Sequence, residues 1–107
     1  MSLRQEKVSS VIRKTAGEFI RSFAGKNSMI TPISAEVSKD LRNATIFVTI
    51  FPEAEEERAL EFLKRKRSDF RDFFKSQVKM KTIPFFDFRV DMGEKHRQRI
   101  DELSNNS

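Results

Sequence analysis

Lys64, Arg65, Lys66 and Arg67 stand side by side, and Arg71, Lys75, Lys79 and Lys81 follow within the next fourteen positions. Residues 64–81 thereby hold eight bases and two acids. Ammonium and guanidinium groups at this density bind phosphates and displace counterions from a polyanion. A second basic stretch, residues 1–26, carries six bases against two acids, among them Arg4, Lys7, Lys14 and Arg21. Arg42 adds a lone cation within a run of turn-forming residues. Between the two blocks, residues 52–63 hold five acids and one base, and would repel the same polyanion. Each cation also has a plainer role. A helix C-terminus favours Lys and Arg through its dipole alone, and the outer face of a first helix accounts equally well for Arg4, Lys7, Lys14 and Arg21. The clustering at 64–81, within a net charge of +5, favours a polyanionic partner.

Other chemistry finds little material. The sequence has no Cys, which excludes disulfides, thiolate catalysis and cysteine-ligated metals. The one His, His96, lies among Glu94, Lys95 and Arg97, so neither a histidine-rich metal site nor a paired catalytic His is available. Glu55, Glu56 and Glu57 cluster where a helix should begin, and the helix dipole explains them better than an acid–base pair in opposed environments. Ser38 and Asp40 fit a turn rather than a nucleophile with its base. We therefore expect no catalytic residue, no metal, no cofactor and no small-molecule substrate: a binding protein rather than an enzyme. Apolar runs are too short for a membrane span, and the opening MSLRQEKVSS lacks the apolar stretch of a signal peptide. The expected setting is the cytoplasm, with no membrane partner.

These cations need elements to position them. Val8, Val11, Ile12, Thr15, Ala16, Phe19, Ile20 and Phe23 recur at helical steps and predict an amphipathic helix over 4–24, stopped by Gly25. Residues 30–37 and 44–51 read as strands, the first irregular at Pro32. Ser38 to Asn43 supply turn chemistry, so the two should form an antiparallel hairpin. After Pro52, acids open a helix whose buried side is Ala59, Leu60, Leu63, Phe70, Phe73 and Phe74. The Lys66-Arg67-Ser68 triplet interrupts that pattern and predicts a bend. Met80, Ile83, Phe86, Phe88 and Val90 predict a third strand over 80–90, irregular at Pro84. A short charged helix, Glu94–Leu103, and a polar tail complete the chain. The reading is a single α+β domain of 107 residues, ordered over about 4–103, with the order α-β-β-α(bent)-β. The helix joining strands two and three is a crossover, so the three-stranded sheet should be mixed, with helices on one face. Only 37% of residues are hydrophobic, yet 11 Phe at patterned positions argue for a packed core.

In that frame the run Ile30-Thr31-Pro32-Ile33-Ser34-Ala35-Glu36-Val37-Ser38-Lys39-Asp40-Leu41-Arg42-Asn43-Ala44-Thr45-Ile46-Phe47-Val48 resembles the bacterial ribosome-binding factor A signature. There a strand ending in V-x-x-S-x-D-L leads to an A-x-V-Y-V-like second strand. Ile83-Pro84-Phe85-Phe86-Asp87-Phe88, then Asp91, then Arg99-Ile100-Asp101-Glu102-Leu103 are similar to the family's ending. The resemblance spans roughly residues 4–103. It implies a KH-like fold of the second type, and a non-enzymatic factor that binds the free small (30S) ribosomal subunit. It also implies late maturation, 16S rRNA processing and cold adaptation as the setting. Where the family marks its helix bend with small residues, this chain has Lys66-Arg67-Ser68. No G-x-x-G loop is present, so the backbone clamp of ordinary KH domains is missing.

The expected partner is thus the small subunit and its 16S rRNA, met by a monomer. The contacts proposed from sequence are Lys64, Arg65, Lys66, Arg67, Arg71, Lys75, Lys79 and Lys81, with Arg4, Lys7, Lys14, Arg21 and Arg42 as further candidates. The alternative is a KH-like basic module that binds another RNA or an acidic protein. Stacking on Phe is the lesser reading. Phe19, Phe23, Phe70, Phe73 and Phe74 have helical spacing and are expected in the core, while Phe47, Phe51, Phe86 and Phe88 could face either side of the sheet, where an exposed ring would be informative.

Overall fold

The computed structural model describes residues 3–23 and 28–93. Helix α1 (Leu3–Ser22) opens the chain. Strands β1 (Met29–Val37) and β2 (Asn43–Phe51) follow. A short 3-10 turn, Glu53–Glu55, leads into α2 (Glu56–Arg65), then α3 (Arg67–Gln77) and β3 (Phe85–Val90). The expected stop at Gly25, the helix Glu94–Leu103 with His96, and the polar tail lie outside the described residues.

The sheet order is β1-β2-β3, with β1 antiparallel and β3 parallel to β2. This is the expected α-β-β-α(bent)-β order and the mixed sheet of a KH-like α+β fold. A register shift between Pro32 and Ser34 bulges the edge strand β1, where the missing proline N–H costs no ladder bond. Alternation along β2 turns Ala44, Ile46, Val48 and Ile50 inward, beneath the helices. Phe86 and Phe88 do the same on β3.

Within a mostly aliphatic core, a cluster of Phe rings joins the helices to the sheet. Phe70 is wholly buried, and its ring meets Phe19 at 5.2 Å, Phe86 at 4.6 Å, Phe88 at 5.9 Å and Phe74 at 6.1 Å between centroids. One side chain thus joins α1, α3 and β3. Phe19, Phe70 and Phe74 are buried as expected, and Phe73 is half-buried against Phe19. Phe23 departs from expectation. It sits at the end of α1, 39% exposed, edge-on to Phe19 and Phe62 at the rim of the core. Val11 is also exposed, because it lies off the stripe centred on Ile12, Ala16 and Phe19.

The third strand starts later than its apolar pattern suggests. Residues 78–84 run as a connection, and pairing begins at Phe85. Pro84 has no N–H to offer a ladder. The carbonyls of Ile83 and Pro84 accept hydrogen bonds from Arg71 instead, at 3.1 and 3.2 Å.

Candidate nucleic-acid interface

The topology gathers cations that are far apart in sequence. Because β1 and β2 form a hairpin and β3 runs parallel to β2, one end of the sheet holds Val37, the turn at 38–42, Asn43 and Phe85. The start of α1 is tied there by Gln5, whose Nε2 donates to the Val37 carbonyl at 2.8 Å. The end of α3 arrives there through residues 78–84. Arg4, Lys7, Arg42, Arg71, Lys75, Lys79 and Lys81 therefore share the hairpin end. The acidic run at Glu53–Glu57 follows Phe51 and lies at the opposite end.

At the hairpin end, Arg71, Lys75, Lys79 and Lys81 line one open cleft of about 680 Å³, floored by Val78, Met80 and Ile83. Lys75, Lys79 and Lys81 are exposed and make no ion pair among the described residues. Three unpaired ammonium groups around one concavity repel each other, and a bound anion would relieve that. Arg71 has a different task. Its two bonds to the 83–84 carbonyls and its stacking on Phe85, 4.6 Å from the ring centroid, fix the shape of the cleft wall. Arg42 is adjacent, since its carbonyl accepts from the Phe85 N–H at 2.8 Å and its side chain is exposed.

The turn that presents Arg42 is tightly built. Ser38 Oγ donates to Asp40 Oδ1 at 2.6 Å, and the Arg42 N–H donates to the same oxygen at 3.0 Å. These bonds, the Ser38 hydroxyl first, hold the Asp40 carboxyl below its ordinary value of 3.8. Leu41 occupies the left-handed region with φ of 61° and drives its side chain into the core. The predicted Ser38–Asp40 turn pair is thus present, and it positions a cation.

The run Lys64–Arg67, first among the sequence candidates, is mostly committed within the fold. The helix breaks at Lys66, as the triplet predicted, and the Arg67 Nε donates to the Lys64 carbonyl in the last turn of α2 at 2.9 Å. Lys64 and Arg67 both reach Asp87 on β3, at 3.3 and 3.4 Å. Lys66 pairs with Asp69 at 3.5 Å and lies over the rings of Phe23 and Phe62. Arg65 alone of the four is exposed with no ion pair among the described residues. Partial burial alone would raise the Asp87 carboxyl. The Phe88 N–H, then Lys64 and Arg67, outweigh it and hold the group below 3.8.

Along α1, Lys7, Lys14 and Arg21 repeat every seven residues on the face opposite the core, all exposed. Each step advances about 10.5 Å, so Arg21 lies far from the hairpin end. It lines instead a smaller apolar cleft of about 280 Å³ with Phe23, Met29, Ile30 and Phe62. Sequence reasoning missed Arg89, 3.9 Å from Asp87, and the exposed Phe85. The signal was present: with Phe86 and Phe88 inward, alternation sends Phe85, Asp87 and Arg89 outward. No helix is long and apolar enough to cross a membrane among the described residues.

Residues 4–104 match the family model for ribosome-binding factor A. Curated relatives of that name include one from Fervidobacterium nodosum, 30% identical over 90% of this chain and 82% of its own length. Another, from Anaplasma marginale, is 30% identical over 94% of this chain and 88% of its own. The crystal structure of ribosome-binding factor A from Thermus thermophilus superposes with a TM-score of 0.72 at 22% identity, covering 80% of this chain and 94% of that one. A homology model of the Thermus thermophilus factor, fitted into a cryo-EM map of its complex with the 30S subunit, gives a TM-score of 0.68 at 23% identity. It covers 76% of this chain and 88% of that one. At such identities the structural likeness speaks for the fold. The match over nearly the whole sequence places the chain in the ribosome-binding factor A family.

Proposed function

We propose that the protein docks on the free small ribosomal subunit by laying its hairpin end against 16S rRNA phosphates, and assists late maturation and rRNA processing without catalysing a step. It acts as a single-domain cytoplasmic monomer. The observation that carries this reading is the cleft of Lys75, Lys79 and Lys81, without ion pairs among the described residues and grouped with Arg42, Arg4 and Lys7 at the end away from the acidic run. Family membership, and the 30S complex described for the Thermus thermophilus relative, support it. Lys64–Arg67 and Arg89 extend the basic surface along the β3 edge. Lys14 and Arg21 are the outlying members.

Sedimentation of the purified protein with small subunits across a salt series tests the reading. The protein should travel with the subunits at low salt and be released as salt rises. Neutralising Lys75, Lys79 and Lys81 together should lower the log–log salt slope by about 2–3, since each phosphate contact contributes about 0.7–0.9. A protein that stays at the top of the gradient at low salt, or a slope unchanged in the triple variant, would contradict it.

A further inference from the structure

We propose that the open sheet face beside β3 takes unpaired bases of single-stranded RNA, with Phe85 as the main stacking group and Phe47 as a second. The inference rests on the rRNA-docking reading above and adds the substrate class: a single strand rather than a duplex. Among the described residues, helices cover one face of the sheet, and on the other Phe85 is 65% exposed at the mouth of the basic end. The Arg71 guanidinium backs its ring, and Arg71 also lines the lysine cleft. Phosphate contact and ring therefore share one wall. Phe47 lies in the centre of the same face, in register with Arg89. It is four residues along β2 from Asn43, the partner of Phe85, or about 13 Å, so the two rings would take separate bases.

Charge selects the occupant. Arg71, Arg89, Lys64 and Arg67 surround this half of the face, against Asp87 on β3 and, across Thr45, Glu36 on β1. Aromatic rings interleaved with cations suit a strand that offers phosphates and free π-faces together. A duplex buries those π-faces in its own stack. Met29 and Phe51, paired across β1 and β2, are as exposed as Phe85 but adjoin the acidic end, and have no part in the proposal.

The test uses the full chain and a ten-nucleotide single-stranded RNA carrying 2-aminopurine, with the same RNA annealed into a duplex for comparison. Binding should quench the fluorophore in the single strand and favour that strand over the duplex. Phe85→Ala should weaken single-strand binding about tenfold with the salt slope unchanged. Phe85→Leu, which keeps apolar bulk without a π-face, should lose nearly as much. Phe85 is 65% exposed, so both variants should fold, with only a small and similar fall in thermal midpoint from the lost Arg71 stack. Equal affinity of wild type and Phe85→Ala, or tighter binding to the duplex, would overturn the inference. Sedimentation of Phe85→Ala with small subunits separates the two readings. Phe85→Ala that co-sediments and binds the single strand like wild type sinks the stacking role alone, whereas wild type that never co-sediments sinks the docking reading beneath it.

Discussion

Among the basic side chains, those that build the fold and those left unpaired are distinguishable residue by residue. Arg71 uses its planar fork on two carbonyls and a ring, a geometry Lys cannot reproduce. Arg71→Lys, although it keeps the charge, should cost about 1 kcal/mol in urea unfolding. Lys79→Ala, which breaks no ion pair among the described residues, should stay within about 0.5 kcal/mol and should weaken subunit binding instead. The two low-titrating carboxylates make a prediction of their own. Asp40 and Asp87 ionise more readily folded than unfolded, so their contribution is complete above 3.8 and fades as pH falls through the lower folded values. The double variant Asp40→Asn/Asp87→Asn should show a flatter fall in thermal midpoint between roughly pH 5 and 3 than the wild type.

At the scale of elements, strong periodicity was legible and local competition was not. The stripe Ile12, Ala16, Phe19 predicts α1, and β-branched alternation predicts β2, because each pattern is sustained and leads to one buried face. The bend at Lys66 was visible as an interruption of the apolar pattern. What closes it, the Arg67 guanidinium on the Lys64 carbonyl, depends on a rotamer no pattern encodes. The late start of β3 has the same origin, since Arg71 reaches across from α3 to claim carbonyls that sequence assigned to a strand. Phe23 has helical core spacing yet falls just after Ser22, the last residue of α1, where it lines an open cleft with Met29, Ile30 and Phe62. Phe70 is the test of how the elements are joined. Phe70→Ala removes the ring shared by α1, α3 and β3 and should cost about 3–5 kcal/mol in urea unfolding. A loss below about 1 kcal/mol would mean that the Phe cluster is not what holds these elements together.

Over the whole molecule, charge is sorted by topology. The sequence shows basic blocks at 1–26 and 64–81 with an acidic stretch between them, but not that the start of one and the end of the other meet. That depends on the parallel pairing of β2 and β3, which brings Phe85 beside Asn43, and on Gln5 anchoring α1 at Val37. The same folding moves the favoured run Lys64–Arg67 to the β3 edge and occupies most of it with Asp87 and Asp69. The central claim is therefore directional: the hairpin end faces rRNA and the acidic end faces away. Because the chain has no Cys, a single introduced thiol can carry a hydroxyl-radical source to either end. With Thr82→Cys as the tether beside the lysine cleft, localised cleavage of 16S rRNA in small subunits should be strong. With Glu57→Cys at the acidic end it should be weak. Equal cleavage from both tethers, or stronger cleavage from residue 57, would contradict the account.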